Sequence, residues 1–390
     1  MDRRSFLTTV AAVPVLPALK GPETLQEPAA PGRPGPTLDR PVPKYRIVTK
    51  YKPSPQPGMP GLYPGRVVTV HSPRCIDEVT EKVDVPSVQA MMVAGMAALT
   101  GDKDPRDSWA RFFTADDFVG IKVNASGAPG AMSMPEVVAE IAKNLIAVGV
   151  KPANIVIHER GSGQILQPRY DLYVPAGVRV ESASTWLGYD PDVYVEVTFF
   201  GEEDTRSYLI RMVSDQFTKI INVPNMKDHG AAGVTGCLKN VAYGEFNNVA
   251  RSHYHAQTET LTFIGTLAQV EPLRSRTVLN IMDGLRGVWH AGPFSRDRRY
   301  RFYPKQMKFG TDPVAIDRLL IDIIDEKRKR EGVISVWNRE MKYVSTNPKE
   351  WQANPNMNRS IREPGHIEYA SRLGLGTYEI DSIRHTEITV

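Results

Sequence analysis

Apolar residues recur along this chain in two rhythms that take turns. Short β-branched runs predict strands at Arg66–Ser72 (RVVTVHS), Asp117–Asn124 (DFVGIKVN), Asn154–Glu159 (NIVIHE), Phe217–Asn222 (FTKIIN) and Thr277–Gly284 (TVLNIMDG). Between them the spacing turns helical. Val85–Gly101 reads as a helix ending on a glycine. The next helix follows Ser133, with Ser133 and Glu136 as a capping box and Pro135 in its first turn. Val137, Val138, Ile141, Leu145 and Ile146 form its apolar face. Another helix is expected around Thr258–Val270, and one more capped by Asp312 with Pro313 at its first position. Ile316, Leu319, Leu320 and Ile323 are its inward side. Period-two alternation over Val178–Val213, broken at Gly201-Glu202-Glu203-Asp204, predicts an antiparallel hairpin added to the sheet. Strand–helix–strand alternation favours right-handed parallel crossovers. The fold class expected is therefore α/β: a mostly parallel sheet with helices on both faces and an antiparallel hairpin addition.

The first 65 residues lie outside this rhythm. Residues 1–22 hold adjacent arginines, Ser-Phe-Leu and a short small-residue apolar run, MDRRSFLTTVAAVPVLPALK, which resembles a bacterial twin-arginine export signal. That run is too short for a stable membrane span. The expected location is periplasmic or extracellular, with the export machinery as a partner and no membrane span once the signal is removed. Residues 23–65 are dense in proline, which sustains neither helix nor central strand, and read as an extended tether. The remainder, 66–390, reads as a single α/β domain.

Charge and cysteine content narrow the chemistry. The formal net charge of the 390 residues is +4, and Arg3, Arg4 and Lys20 against Asp2 supply half of it. A nearly neutral mature chain offers no global attraction for nucleic acid. The basic, aromatic stretch Ser295–Lys308 (SRDRRYRFYPKQMK) is read as a solvated loop, with anionic-partner capture as the other reading. Cys75 and Cys237 are too few for a zinc ribbon or an all-cysteine iron–sulfur cluster, and can be one disulfide or two separate thiols.

In a parallel α/β sheet, ligands gather beyond the carboxyl ends of strands. Lys122 and Asn124 finish one strand here, Lys227 and His229 follow another, and Asp283 ends a third. The segment Asn222–Gly244, NVPNMKDHGAAGVTGCLKNVAYG, adds Thr235, Lys239 and Asn240 amid glycines that could bring backbone N–H groups to an anion at a helix start. His229, Lys227 and Lys239 are the candidate catalytic groups, and Lys122, Asn124, Thr235, Asn240 and Asp283 the candidate ligand-binding ones. Their expected partner is a small anionic molecule or a metal cofactor of unassigned identity. His253 and His255 in RSHYHA, and His290, are further metal-ligand candidates. Each group also has an ordinary reading: a strand-end lysine can be merely solvated, the glycines can serve tight turns, and Asp283 can be a turn former.

DFVGIKVNASGAPGAMSMPEVVAEIAKNLIAVGV, IINVPNMKDHGAAGVTGCLKN, GTDPVAIDRLL and ASRLGLGTYEID, in that order, resemble the bacterial family called domain of unknown function 362. Its most specific pattern falls on Pro224, Lys227, His229, Thr235, Gly236, Lys239 and Asn240. Many members add a four-iron four-sulfur module with clustered cysteines; this chain lacks those cysteines, and no iron–sulfur cluster is expected. A looser similarity leads to the N-terminal domain of nickel-pincer lactate racemases, whose lysine and histidines hold the cofactor. It points to Lys227 or Lys239 and His229. The functional expectation is an exported protein with one Lys/His/Asn site, an enzyme or a non-catalytic binder of an anionic solute.

Overall fold

The apolar runs assemble into one large sheet covered on both faces. The structure, a computed structural model, describes residues 41–54, 58–183, 188–295 and 297–390. The export signal, and the tether before Pro41, lie outside the described residues. The strands are β1 (Arg46–Val48), β2 (Arg66–His71), β3 (Val119–Val123), β4 (Ile155–Glu159), β5 (Arg179–Ser182), β6 (Tyr189–Glu196), β7 (Arg206–Ile210), β8 (Lys219–Val223), β9 (Asn225–His229), β10 (Gly233–Val234), β11 (Thr277–Val288), β12 (Arg301–Phe302), β13 (Gln306–Gly310) and β14 (Arg384–Thr389). Sheet order is β14-β2-β13-β11-β8-β3-β4-β5, with β9, β10 and β12 attached near β11. Every pairing along that path is parallel except the two made by β13.

Strand alternation sorts side chains onto two faces. Ile121, Val123, Ile155, Ile157, Ile221 and Val223 pack with the helices Val85–Thr100 and Pro135–Ala147. Val156, Ile220 and Met282 pack on the other side with the helices Gly236–Glu245, Thr260–Ala268, Pro313–Arg330 and His366–Arg372. Glycine permits close approach at two points here. A Cβ on Gly120 would lie 2.6 Å from the Phe217 ring, and one on Gly95 2.2 Å from Phe309. Two free cysteines fall in different apolar clusters, Cys75 on one face and Cys237 on the other, and no disulfide joins them.

Three local expectations change. Only the second and third runs of the predicted hairpin region pair with each other. β6 and β7 join β1 from the tether in a separate antiparallel sheet of order β1-β6-β7, while β5 pairs parallel to β4 in the main sheet. Alternation identifies a strand but not its partner. The capping box is not formed: Met134 holds the N-cap position, Ser133 Oγ donates to Val223 O at 2.6 Å, and the Asp283 carboxylate takes the Met134 N–H at 2.6 Å. The basic stretch Ser295–Lys308 is largely structured. It contains β12 and the start of β13; Arg301 pairs with Glu81, Lys305 with Glu78, and Lys308 is buried against Thr69 Oγ1 at 2.7 Å. Arg301 and Lys305 are thus paired within the chain and Lys308 is buried, so these three are not part of a free cationic surface. The Asp312 cap forms as the spacing predicts, accepting from Ala315 N at 2.9 Å. Among the described residues no helix is long and apolar enough to cross a membrane.

Candidate functional site

Four parallel strands carry a polar side chain at one shared level of an otherwise apolar face. Register places His158 beside Lys122, Lys122 beside Asn222, and Asn222 beside Asn280. All four are fully buried. The helix Gly236–Glu245 lies over this row and bonds to His158 and Asn222. Glu245 Oε1 meets His158 Nε2 at 2.8 Å. Asn240 Nδ2 donates to Asn222 Oδ1 at 2.8 Å, and Asn222 Nδ2 donates to Asn280 Oδ1 at 2.8 Å and to Cys237 O at 3.1 Å. Lys122 Nζ donates to Glu159 Oε2 at 3.1 Å and to Val123 O at 2.5 Å. A Cβ on Gly244 would sit 2.3 Å from Lys122 Cε, so only glycine leaves this lysine its room. His158 Nδ1 and Glu245 Oε2 lack a partner, while the paired amides of Asn222 and Asn240 fix the helix register on the sheet.

The cationic groups converge where this seam reaches the strand ends. Asn124 Nδ2 donates to Asn240 Oδ1 at 3.0 Å, linking the end of β3 to the helix. Lys227 on β9 is fully enclosed; its Nζ donates to Ala131 O at 3.2 Å and Ser126 Oγ at 3.4 Å. Lys239 Nζ lies 4.4 Å over the Tyr243 ring. The His229 and His253 rings are 5.1 Å apart, and His253 is 5.4 Å from Tyr243. A narrow aperture remains, because Lys239 and His253 are each 8% exposed and His229 6%.

The electrostatics of this cluster are one-sided. Among the described residues neither Lys227 nor Lys239 is ion-paired: Glu159 is paired with Lys122, and Asp228 with Arg362. Burial pulls Lys227 down to about 7, with Lys122 pushing the same way and Glu159 opposing. Burial also brings Lys239 to about 7, reinforced by Arg160 and Lys227. His229 is held well below its ordinary range by burial, then by Lys239 and His253. Burial and Lys239 do the same to His253, with the exposed Arg359 adding to them. His366 drops to about 3 through burial and Lys239. Several buried polar atoms here have no partner: Thr235 Oγ1, His253 Nε2 and both ring nitrogens of His366. Unpaired cations and unpartnered polar groups in a buried site are what an anionic ligand would satisfy.

Two expected members are engaged by the backbone or by a partner. Asp283 accepts from Met134 N at 2.6 Å and Leu285 N at 3.0 Å, and burial raises it to about 6 against those bonds. Lys122 is held by Glu159. Both still lie close enough to Lys227 to act on its charge. The anion cradle expected at the start of the glycine-rich helix is already filled. The Asp317 carboxylate takes Cys237 N at 2.5 Å and Leu238 N at 2.9 Å, where a Gly236 Cβ would come within 2.3 Å of it. His229-Gly-Ala-Ala-Gly instead turns the β9–β10 hairpin, with Gly233 at φ +73°. The His255 ring lies 3.7 Å from that of Phe200 at a 35° tilt, and His290 lies beside Arg328. Among the described residues no group of three His, Cys, Asp or Glu side chains is placed to hold a metal ion.

Sequence reasoning missed Asn222, Asn280, His158, Glu159, Glu245, His366 and Asp317. The signal for the strand residues was present: a lone polar residue near the end of each apolar run, as in IINV, LNIM and VIHE. For His366 and Asp317, which act from distant helices, no local signal exists.

The sequence profile of a family described as "Domain of unknown function (DUF362)" matches residues 119–322, more than half of the chain. No curated protein matches. Among solved structures, a protein from Thermotoga maritima is similar at 10% identity and a TM-score of 0.31, over 65% of this chain and 60% of that one. The match thus spans less than two thirds of that protein's length.

Proposed function

This chain belongs to the DUF362 family, and we propose that it is an exported protein whose strand-end cluster binds a small anion. Lys227 and Lys239 provide the charge, and Asn124, Thr235 and His229 the hydrogen bonds. Lys122, Asn240 and Asp283 position them through the seam and the backbone. The observation that carries this reading is the pair of buried lysines without a counter-ion, beside histidines with unpartnered nitrogens. Binding an anion there replaces no existing ion pair, and a low-dielectric site strengthens the attraction.

In the enzymatic form of this proposal, His229 moves a proton to or from the bound anion. Its Nδ1 accepts the Ala231 N–H at 3.1 Å, which leaves the proton on Nε2. The chain is exported through the twin-arginine route signalled by Arg3 and Arg4 and carries no iron–sulfur cluster. As a non-catalytic binder of an anionic solute it would need the lysines but not the imidazole proton.

Calorimetric titration of the full chain with oxalate, phosphate and sulfate in chloride buffer tests the proposal. At least one of these should bind stoichiometrically, and Lys239→Met should weaken it by about tenfold or more, as expected for loss of a charge-assisted contact of about 1.5–3 kcal/mol. Heat signals unchanged by Lys239→Met, or absent with all three anions, would overturn it. His229→Gln separates the two forms: retained affinity with turnover lost marks the enzyme, and retained affinity with no turnover in either protein marks the binder.

A further inference from the structure

The two buried lysines differ in what their amines touch. Lys227 Nζ is bonded to Ala131 O and Ser126 Oγ and has no solvent exposure. Lys239 Nζ has neither hydrogen bond nor ion pair with any described residue; its neighbour is the face of Tyr243, and the residue keeps 8% of its surface exposed. The histidines beside it carry opposite roles. His229 has its proton on Nε2, as the Ala231 bond requires. His253 Nδ1 lies 3.2 Å from Ala250 O, which can only accept, so the proton is on Nδ1 and the unpartnered Nε2 offers a lone pair.

We propose that Lys239 is the nucleophile of an imine-forming site for a small carbonyl compound that also carries an anionic group. This rests on the anion-binding reading above and deepens it to a ligand class. The field of Lys227, Arg160 and Arg359 draws the anionic group, and the free amine meets the carbonyl. Lys239 nitrogen adds to the carbonyl carbon while His229 Nε2–H donates a hydrogen bond to the oxygen that gains charge. One amine proton passes through His253 Nε2 to that oxygen, giving the carbinolamine; the second follows the same route, so the oxygen leaves as water as the nitrogen–carbon double bond forms, and both histidines end as they began. Amine and carbonyl thus give imine and water, with no oxidant or reductant. Burial among like charges favours the uncharged amine that this step requires.

The test is reductive trapping. The full chain is incubated with glyoxylate at neutral pH in chloride buffer, reduced with sodium borohydride, and mapped by peptide mass spectrometry. Lys239 should be labelled more than about tenfold over an exposed lysine such as Lys342, which its Glu340 partner holds in the charged form. Lys239→Arg, which keeps the charge, should lose this label while circular dichroism and melting show a folded protein. Label spread over the exposed lysines, or absent from Lys239, overturns the proposal. Titration with oxalate, which offers carboxylates but no ketone or aldehyde, separates the two levels. Oxalate binding without Lys239 label ends the imine and leaves the anion site standing. Failure of both ends both.

Discussion

Removing the amine of Lys239 should stabilise the ligand-free protein. In the folded chain this amine has no counter-ion and drops from an ordinary 10.5 to about 7. At about 1.4 kcal/mol per tenfold, that difference separates the two protonation states by about 5 kcal/mol. Between pH 7 and 10.5 the unfolded chain keeps a proton that the folded chain has shed, so the unfolded state binds more protons. Stability therefore rises with pH across that window and falls as pH drops, and the full penalty is reached below about pH 7. Roughly half of it is relieved between about pH 7 and pH 9. Lys227, also at about 7, acts with the same sign. Methionine is similar in length, flexible and apolar, and can lie on Tyr243 as the lysine stem does. Lys239→Met should accordingly be more stable than wild type by at least about 2 kcal/mol at neutral pH, after relaxation and the aperture reduce the full figure. The advantage should vanish near pH 10.5. The assay is urea unfolding from pH 6 to 10 in chloride buffer free of multivalent anions, followed by circular dichroism. A variant less stable than wild type at pH 7, or an unchanged pH slope, would refute the reasoning by showing that the lysine is already compensated. Adding the anion found by titration should reverse the ranking, because it stabilises only the chain that binds it.

Two structural predictions stand apart from the ligand. Lys122→Met strands the Glu159 carboxylate and should cost about 3–5 kcal/mol, whereas Lys122→Met with Glu159→Gln should recover most of that loss. Urea midpoints read both, and equal destabilisation of single and double variants would show that the pair carries no coupling. Gly95→Ala sets a helix-propensity gain of about 1 kcal/mol against a Cβ 2.2 Å from the Phe309 ring, where overpacking costs about 1–3 kcal/mol. A net loss is expected because that ring is packed against the sheet, and a stabilised variant would show that the ring moves freely.

The order of residues by itself determined the fold class, because burial on one or both faces imprints a period that survives in the linear pattern. It marked the strands, the Asp312-capped helix and the cationic residues of the Asn222–Gly244 segment. It could not say which strand pairs with which. So β5 was grouped with the β6–β7 hairpin, and β13, whose buried Lys308 reads as a basic loop residue, was not seen. Tertiary structure alone decided the character of the site. Parallel register aligned His158, Lys122, Asn222 and Asn280; the packing of one helix on that row gave His158 and Asn222 their partners, while Asn280 is held by Asn222 and Thr311. Asp317, far along the chain, took the helix start that the glycine pattern predicts for an anion. Lys122 obtained Glu159 as a partner, while Lys239 obtained only a ring. Whether a buried charge is compensated depends on groups brought together across long stretches of chain, and no local pattern encodes that.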